Sequence, residues 1–100
     1  MNSRAKGKRG ELEVVERLGR RWPGCKRNLD QFADDKRDIL EAGGYHWQVK
    51  RTENLRIWAA LEQAETERDP DDTPVVVFRR NRSEWYVALR LDDFLEATLP

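Results

Sequence analysis

The sequence predicts an α/β fold, a mixed β-sheet of about five strands flanked by helices. Two observations indicate this class. Helix-like and strand-like patterns follow one another along the 100 residues in the order helix, three strands, helix, two strands and short helix. The middle helix also separates two strand-like runs, which predicts that these strands are parallel neighbours joined by a crossover. The length is that of one domain, and we expect residues 1–100 to form it.

The first predicted helix runs from about Arg9 to Trp22 and is stopped by Pro23-Gly24. Its inward stripe, at about 100° per residue, consists of Val14, Val15, Leu18 and Trp22. Glu11 departs from the pattern, because it projects onto the middle of this apolar stripe one turn before Val14. An acid in that place is either part of a frayed helix end or a functional group, and both interpretations stay open here.

The remaining elements are predicted from turn residues and periodicity. Short strands are expected near 25–30 and 38–41, and Gly43-Gly44 predicts the turn into a strand at Tyr45–Arg51. The segment LRIWAALEQAETER is helical in pattern, with an apolar face formed by Ile57, Ala60, Leu61 and Ala64. The apolar run VVVF predicts a buried strand, EWYVALR a further strand, and LDDFLEATL a short closing helix.

Composition narrows the classes of function. The 19 basic and 19 acidic residues cancel, but the segments SRAKGKRG and FRRNR are basic, so an anionic partner stays possible. Cys25 and His46 are each the single residue of their type, which excludes an internal disulfide and a Cys/His zinc site. The chain has no apolar run of about 18 residues and no signal-peptide pattern, so we expect a cytoplasmic protein without membrane contact.

The predicted strand Tyr45–Arg51 carries the candidate chemistry. Side chains alternate between the two faces of a strand, so its large apolar residues share the core face and Gln48 and Lys50 share the other. Asp38, on the preceding strand across a tight turn, can lie beside Gln48, and Glu11 lies on the helix face that packs on this sheet. We therefore expect Glu11, Asp38, Gln48 and Lys50 to converge.

Such a set of groups suits one reaction class. Mg²⁺ prefers oxygen ligands, which Glu11 and Asp38 offer as carboxylates, Gln48 as an amide and Val49 as a backbone carbonyl. A metal held there would activate water and neutralise phosphate charge, and Lys50 would add a cation at the reacting oxygens. The expected reaction is phosphodiester hydrolysis with Mg²⁺, or with Mn²⁺ as a substitute. Taken singly, each side chain also suits an ordinary turn or solvated surface.

The motifs KGKRGELEVVERL, CKRN, RDI and WQVKR, in this order, resemble the PD-(D/E)XK nuclease superfamily. Within it, the chain is similar to the small archaeal-type and phage Holliday-junction resolvases. Lys6-Gly7 with Glu11 matches the family's first motif, Asp38-Ile39 the second, and Gln48-Val49-Lys50 the third. The segment VVVFRRNRSEWYVALRLDDFL resembles the final hairpin and closing segment of such proteins.

The resemblance implies a restriction-endonuclease-like fold and a Mg²⁺-dependent endonuclease that cuts branched or four-way DNA in recombination and repair. It implies that Glu11, Asp38, Gln48 and Lys50 are the catalytic residues, and that the protein works as a homodimer in the bacterial cytosol or a phage-infected cell. Trp85 and Phe94 are candidates for the dimer interface or, equally, for the core.

Gln48 departs from the family pattern, which has an acidic residue at this place. An amide keeps an oxygen ligand but loses one negative charge, so we expect weaker metal binding, with Glu11 or Glu53 supplying extra charge. Three alternatives stay open. They are a nicking or repair nuclease without junction preference, a DNA-binding module with lost catalysis, and a structural protein of a DNA-handling complex.

Basic residues in several segments are predicted to contact the DNA backbone, where such contacts give affinity without reading sequence. These residues are Arg4, Lys6, Lys8 and Arg9 near the first motif, Lys26, Arg27 and Arg51 beside the sheet motifs, and Arg79, Arg80 and Arg82 at the last turn.

Overall fold

The computed structural model describes residues 3–30 and 34–98, with the backbone alone at Ser3. Its helices and strands follow the predicted order. They are α1 (Ser3–Leu18), β1 (Lys26–Arg27), β2 (Ile39–Leu40), β3 (Tyr45–Arg51), α2 (Ile57–Glu67), β4 (Thr73–Arg79), β5 (Tyr86–Ala88) and α3 (Leu91–Ala97). Within these described ranges, no helix is long and apolar enough to cross a membrane.

The strands form one mixed sheet in the order β1-β2-β3-β4-β5. β3 and β4 are parallel along their whole length, from the pair Tyr45–Thr73 to the pair Arg51–Arg79. The other neighbouring strands are antiparallel. The predicted α/β class, with a mixed sheet of five strands and a crossover through α2, is confirmed.

Each face of the sheet is covered by one long helix, and the central strand β4 carries apolar residues on both faces. Beneath α1, a buried cluster joins the helix to β2, β3 and β4 through Val14, Ile39, Ala42, Trp47, Val75 and Val77. Beneath α2, a smaller cluster consists of Ala60, Ala64 and Val76. The face of β3 that carries Gln48 is therefore not open to solvent but lies under α2.

The first helix differs most from the sequence prediction, and β1, β2 and β5 are also shorter than the strands expected there. α1 begins by Ser3 and ends at Leu18, where the expected helix began at Arg9 and ended at Trp22. Its first turns, SRAKGKRG, contain Ala5 as their single apolar residue, so the periodicity that reveals a buried helix face is missing there. After Leu18 the chain turns, and the N–H of Trp22 still donates to the Leu18 carbonyl at 2.8 Å. Trp22 therefore still packs on the core beside Tyr45.

The turn before β3 contains a glycine that no other residue can replace without strain. Gly43 has φ of 72°, a left-handed conformation that side chains rarely adopt. A Cβ built there would lie 2.8 Å from the ring of Trp22. The Gly43-Gly44 turn predicted from the sequence thus connects β2 to β3 and holds the start of the strand against the aromatic cluster.

Candidate active site

Asp38 lies where β2 and β3 stop pairing. Its backbone N–H donates to the Trp47 carbonyl at 2.9 Å, and its own carbonyl accepts from the Asn28 N–H at 2.9 Å. Two residues further along β3, the Asp38 side chain is the partner, and its Oδ2 accepts the Val49 N–H at 2.7 Å. The carboxylate is thereby fixed at the edge of β3, beside the residues that the third motif provides.

The carboxyl of Asp38 has a raised pKa. Burial is the main cause, and it raises the pKa from 3.8 to about 6 against the opposing Val49 hydrogen bond. The negative charges of Glu11 and Glu67 raise it further, and the positive charge of Lys50 lowers it. Three ionisable groups therefore act on this one carboxylate.

Gln48 is buried, with 3% of its surface exposed. Its Nε2 donates to Glu67 Oε2 at 2.9 Å and lies 2.8 Å from His46 Nε2 and 3.3 Å from the Lys36 carbonyl oxygen. An ionised carboxylate only accepts, so Glu67 fixes the amide nitrogen on its own side. The amide oxygen then faces away from Glu67.

His46 completes the buried end of this group, with 1% of its surface exposed. Burial is the main cause of its lowered pKa, and the charge of Glu67 opposes the shift. A neutral ring can accept the Gln48 amide at Nε2 and keep its proton on Nδ1. His46 thus contacts Gln48 from the buried side, and it does not line the neighbouring pocket.

Lys50 is held by a residue of α2. Its Nζ donates to Gln63 Oε1 at 2.9 Å, and Gln63 Nε2 lies 3.4 Å from both carboxylate oxygens of Glu67. A chain of contacts thus runs across the α2 face of β3, from Lys50 through Gln63 and Glu67 to Gln48. It connects the two polar residues of the third motif through the helix that covers them.

Sequence reasoning missed Gln63 and Glu67, although a signal was present. The apolar face of the second helix includes Ala60 and Ala64, and residues 63 and 67 flank that stripe at helical spacing. A helix packed on the sheet by this stripe must carry its flanking side chains over the neighbouring strand. Two polar residues in that place were candidates for contact with Gln48 and Lys50.

Glu11 does not reach the other predicted catalytic residues. It lies on α1, on the opposite face of the sheet from α2, and its Oε1 accepts Arg27 Nε at 2.9 Å. Its charge affects Asp38 through space, without a hydrogen bond. The structure therefore brings Asp38, Gln48 and Lys50 to one edge of the sheet, while Glu11 pairs with Arg27 and acts on Asp38 through its charge.

A shallow pocket of about 180 Å³ opens between this edge and α2. Its lining includes Asp38, Gln48, Gln63 and Glu67. The Val49 carbonyl points toward the same edge, because the N–H and C=O of one strand residue face the same side. Carboxylate, amide and carbonyl oxygens can therefore meet here.

These oxygens fit a hard cation that keeps part of its water. Across residues 3–30 and 34–98, no three His, Cys, Asp or Glu side chains lie close enough to form a metal site by themselves. Mg²⁺ usually takes one or two carboxylates and fills its other positions with water, neutral oxygens or phosphate. The donor set around Asp38 matches that requirement.

The predicted DNA-binding residues divide into an exposed set and a paired set. The exposed side chains are those of Arg4, Lys8, Arg9, Lys26, Arg80 and Arg82. The others contact protein groups: Arg27 pairs with Glu11, Arg79 with Glu13 at 3.0 Å, Arg51 with Asn81 at 2.8 Å, and Lys6 lies 3.8 Å from Glu53. The charges of the paired residues are therefore partly used in contacts within the protein.

Glu53, which the sequence offered as a source of extra negative charge, lies elsewhere. Its Oε1 accepts the Asn81 N–H at 2.7 Å and lies 3.9 Å from Arg51. It thus joins the loop after β3 to the turn between β4 and β5, and it does not line the pocket beside Asp38.

Comparison of the chain with protein-family models, with curated proteins and with solved structures gave no match. The resemblance to the PD-(D/E)XK superfamily stays a prediction from the motifs KGKRGELEVVERL, CKRN, RDI and WQVKR and their order. Function is therefore inferred from the residues of the site and not from relatives.

Proposed function

We propose that this protein is a metal-dependent, structure-selective DNA endonuclease that hydrolyses phosphodiester bonds in branched DNA, in the manner of a Holliday-junction resolvase. One observation carries the proposal. The half-buried carboxylate of Asp38 accepts the Val49 N–H at 2.7 Å and lies within the electrostatic reach of Lys50 at the edge of β3. An acid that binds a metal and a nearby cation can together stabilise the charge that develops in phosphodiester hydrolysis.

The role of each site residue follows from the donor or acceptor atoms of its side chain or backbone. Asp38, the amide oxygen of Gln48 and the carbonyl of Val49 would hold Mg²⁺ or Mn²⁺. When bound, such an ion supplies activation of the attacking water and offsets charge on the scissile phosphate. Lys50, oriented by Gln63 at 2.9 Å, presents its ammonium to the phosphate oxygens as negative charge develops on them. Glu11 Oε1 accepts Arg27 Nε at 2.9 Å, and its negative charge also acts on Asp38.

The exposed cations provide the DNA contact. Arg4, Lys8 and Arg9 lie on the first turns of α1, before Glu11 in the chain, and Lys26 lies on β1. Arg4 and Lys8 are one helical turn apart, so they present charge along one side of the helix. Contacts of this kind bind phosphates and depend on salt, and they leave the choice of substrate to the shape of the DNA.

A homodimer follows from the proposed substrate, because a four-way junction needs paired cuts related by a two-fold axis. The described C-terminal residues offer an apolar surface for a second copy. The exposed members of this surface are Tyr86 and Val87 on the edge strand β5, and Leu91, Phe94 and Leu95 on α3. Trp85, the other sequence candidate, packs against the core beneath α1. Sedimentation should give a dimer, and Leu91→Asp with Phe94→Asp a monomer.

A second candidate function has an observation of its own. The third-motif residue is an amide, and its nitrogen is fully engaged by Glu67 and His46. If that engagement removed Gln48 from metal binding, the protein would be a DNA-binding module on the same scaffold. Such a module would bind junctions tightly and cut nothing.

The deciding experiment compares a labelled four-way junction with a linear duplex of the same sequence, in Mg²⁺, in Mn²⁺ and in EDTA. Asp38→Asn removes the proposed ligand, and Asp71→Asn, on an exposed loop, controls for the lost charge. Symmetric, metal-dependent cuts that Asp38→Asn abolishes and Asp71→Asn retains support the resolvase. Equal cutting of the duplex rejects the junction role, and tight binding without cleavage supports the binding module.

A further inference from the structure

We infer that Glu67 supplies the carboxylate that position 48 lacks, so that α2 completes the metal site. The inference rests on the proposed nuclease function. In the family pattern the third motif brings an acid on the strand, and here the same strand position holds an amide. The nearest carboxylate to that amide belongs to the last residue of α2, with Oε2 of Glu67 at 2.9 Å from Nε2 of Gln48.

The packing of α2 on the sheet sets this contact. Ala60 and Ala64 bury the helix against β4, and the flanking residues on the next turns lie over β3. Gln63 is thereby placed over Lys50, and Glu67 one turn later over Gln48. Glu67 and Asp38 line the same pocket, Glu67 from the helix and Asp38 from the edge of the strand.

The contact also explains why an amide suits position 48. A glutamate there would put two carboxylates within hydrogen-bond distance, and like charges at that separation repel strongly in a half-buried site. Gln48 instead donates to Glu67 and fixes its carboxylate in place. Gln63 approaches the same carboxylate at 3.4 Å. Both supports are uncharged, so they orient the carboxylate of Glu67 without neutralising it.

The completed site then has two carboxylates, from Asp38 and Glu67, with the Gln48 amide oxygen and the Val49 carbonyl as neutral donors. Water and a substrate phosphate would fill the remaining positions, which is the composition that Mg²⁺ takes in enzymes acting on phosphates. Neither Glu11 nor Glu53 is needed for charge, since each already contacts a basic side chain.

The test measures Mn²⁺ binding to the whole chain without DNA, by calorimetry and by the spin-resonance signal of free Mn²⁺. Glu67→Gln keeps the size of the side chain and removes its charge, and we expect it to weaken binding about tenfold or more. The double exchange Gln48→Glu with Glu67→Gln returns the carboxylate to the strand, and should recover affinity to within about threefold of the original. Glu62→Gln, on the exposed side of α2, should change nothing.

The outcomes separate the inference from the function on which it rests. Binding that Asp38→Asn abolishes and Glu67→Gln leaves unchanged would overturn the inference and keep the nuclease. No Mn²⁺ binding by the original protein would overturn both. If Glu67→Gln weakens binding and the double exchange fails to recover it in a protein that melts normally, Glu67 only positions Gln48, and the inference is again wrong.

Discussion

Asp38 Oδ2 accepts the Val49 N–H at 2.7 Å, yet its carboxyl has a pKa raised from 3.8 to about 6. The hydrogen bond favours the charged form, but burial disfavours it by more. A negative charge at Asp38 therefore costs folding free energy at neutral pH.

Asp38→Asn should stabilise the protein at neutral pH. Because the folded-state pKa lies above the unfolded one, the contribution of Asp38 to stability is fully present below 3.8 and is lost as pH rises through about 6. The shift corresponds to a cost of about 3 kcal/mol above that range. Asparagine keeps an acceptor for Val49, so urea unfolding at about pH 7.5 should show a gain of about 1–3 kcal/mol.

The same variant should differ little from the original protein at about pH 4, where the aspartic acid is largely uncharged in the folded state. Asp71→Asn, on an exposed loop, controls for the loss of one negative charge. A variant at Asp38 that is less stable than the original at neutral pH, or equally stable at every pH, would contradict the prediction.

Removal of the Lys50 ammonium should impair cleavage and leave DNA binding intact. Lys50 contacts Gln63 at 2.9 Å and acts electrostatically on Asp38, so its charge belongs to the site and not to the exposed basic surface. Lys50→Met should lower the single-turnover cleavage rate about 100-fold or more, the size of effect seen when a transition-state donor is lost. Junction affinity measured in EDTA should stay within about threefold.

Gln63→Ala tests the support of Lys50 in the same assay. It leaves the ammonium in place but removes the group that orients it, so the cleavage rate should fall less, by about tenfold. Equal rates for Lys50→Met and the original protein would show that Lys50 has no part in the reaction. A large loss of junction affinity in EDTA would assign it to the DNA surface.

Much of the site could be predicted from the sequence because it depends on the alternation of side chains between the two faces of a strand. The period of two in Tyr45–Arg51 separates the core face from the polar face, and the structure keeps that separation. Asp38 was expected beside the same strand because only a tight turn separates them. These relations depend on neighbours a few residues apart, whose geometry is common to all strands and hairpins.

The contacts that sequence reasoning missed join residues far apart in the chain. Whether Glu11 faces Asp38 or Arg27 depends on where α1 crosses the sheet, and its partner is 16 residues away. The contact of Glu67 with Gln48 spans 19 residues and depends on how α2 rotates about its alanine stripe. Periodicity predicts which face of a helix is buried, but not which strand residue lies beneath each flanking side chain.

The exposed and the paired cations should respond differently to mutation. Lys8 and Arg9 are exposed on α1, so Lys8→Ala and Arg9→Ala should each weaken DNA binding about equally for all sequences. Each should also lower the slope of log affinity against log salt by about 1. Fluorescence anisotropy over a salt series measures both effects.

Arg27→Ala is the contrasting variant in this series. It leaves the half-buried Glu11 carboxylate without its partner at 2.9 Å, so unfolding free energy should fall by about 1–3 kcal/mol. Unchanged stability of Arg27→Ala would mean that the pair contributes nothing to the fold. Salt slopes that do not change in Lys8→Ala and Arg9→Ala would place the DNA elsewhere.

Two glycines of α1 should give opposite results when replaced by alanine. Alanine favours a helix over glycine by about 0.5–1 kcal/mol, so Gly7→Ala, with no atom within 4 Å of the added Cβ, should stabilise the protein by that amount. At Gly10 the added Cβ would lie 2.9 Å from the Cβ of Arg51 and 3.5 Å from the ring of Trp85.

The Cβ of Arg51 is part of β3 and cannot swing away, so Gly10→Ala must push α1 from the sheet and should cost about 1–2 kcal/mol in urea unfolding. The displacement would also loosen the region where Arg51 meets Asn81. Both substitutions add the same methyl group to the same helix, so the gain in helix propensity is the same for each. The difference between their unfolding free energies therefore measures only how closely α1 approaches β3. If Gly10→Ala stabilises as much as Gly7→Ala, the helix does not lie this close to the strand.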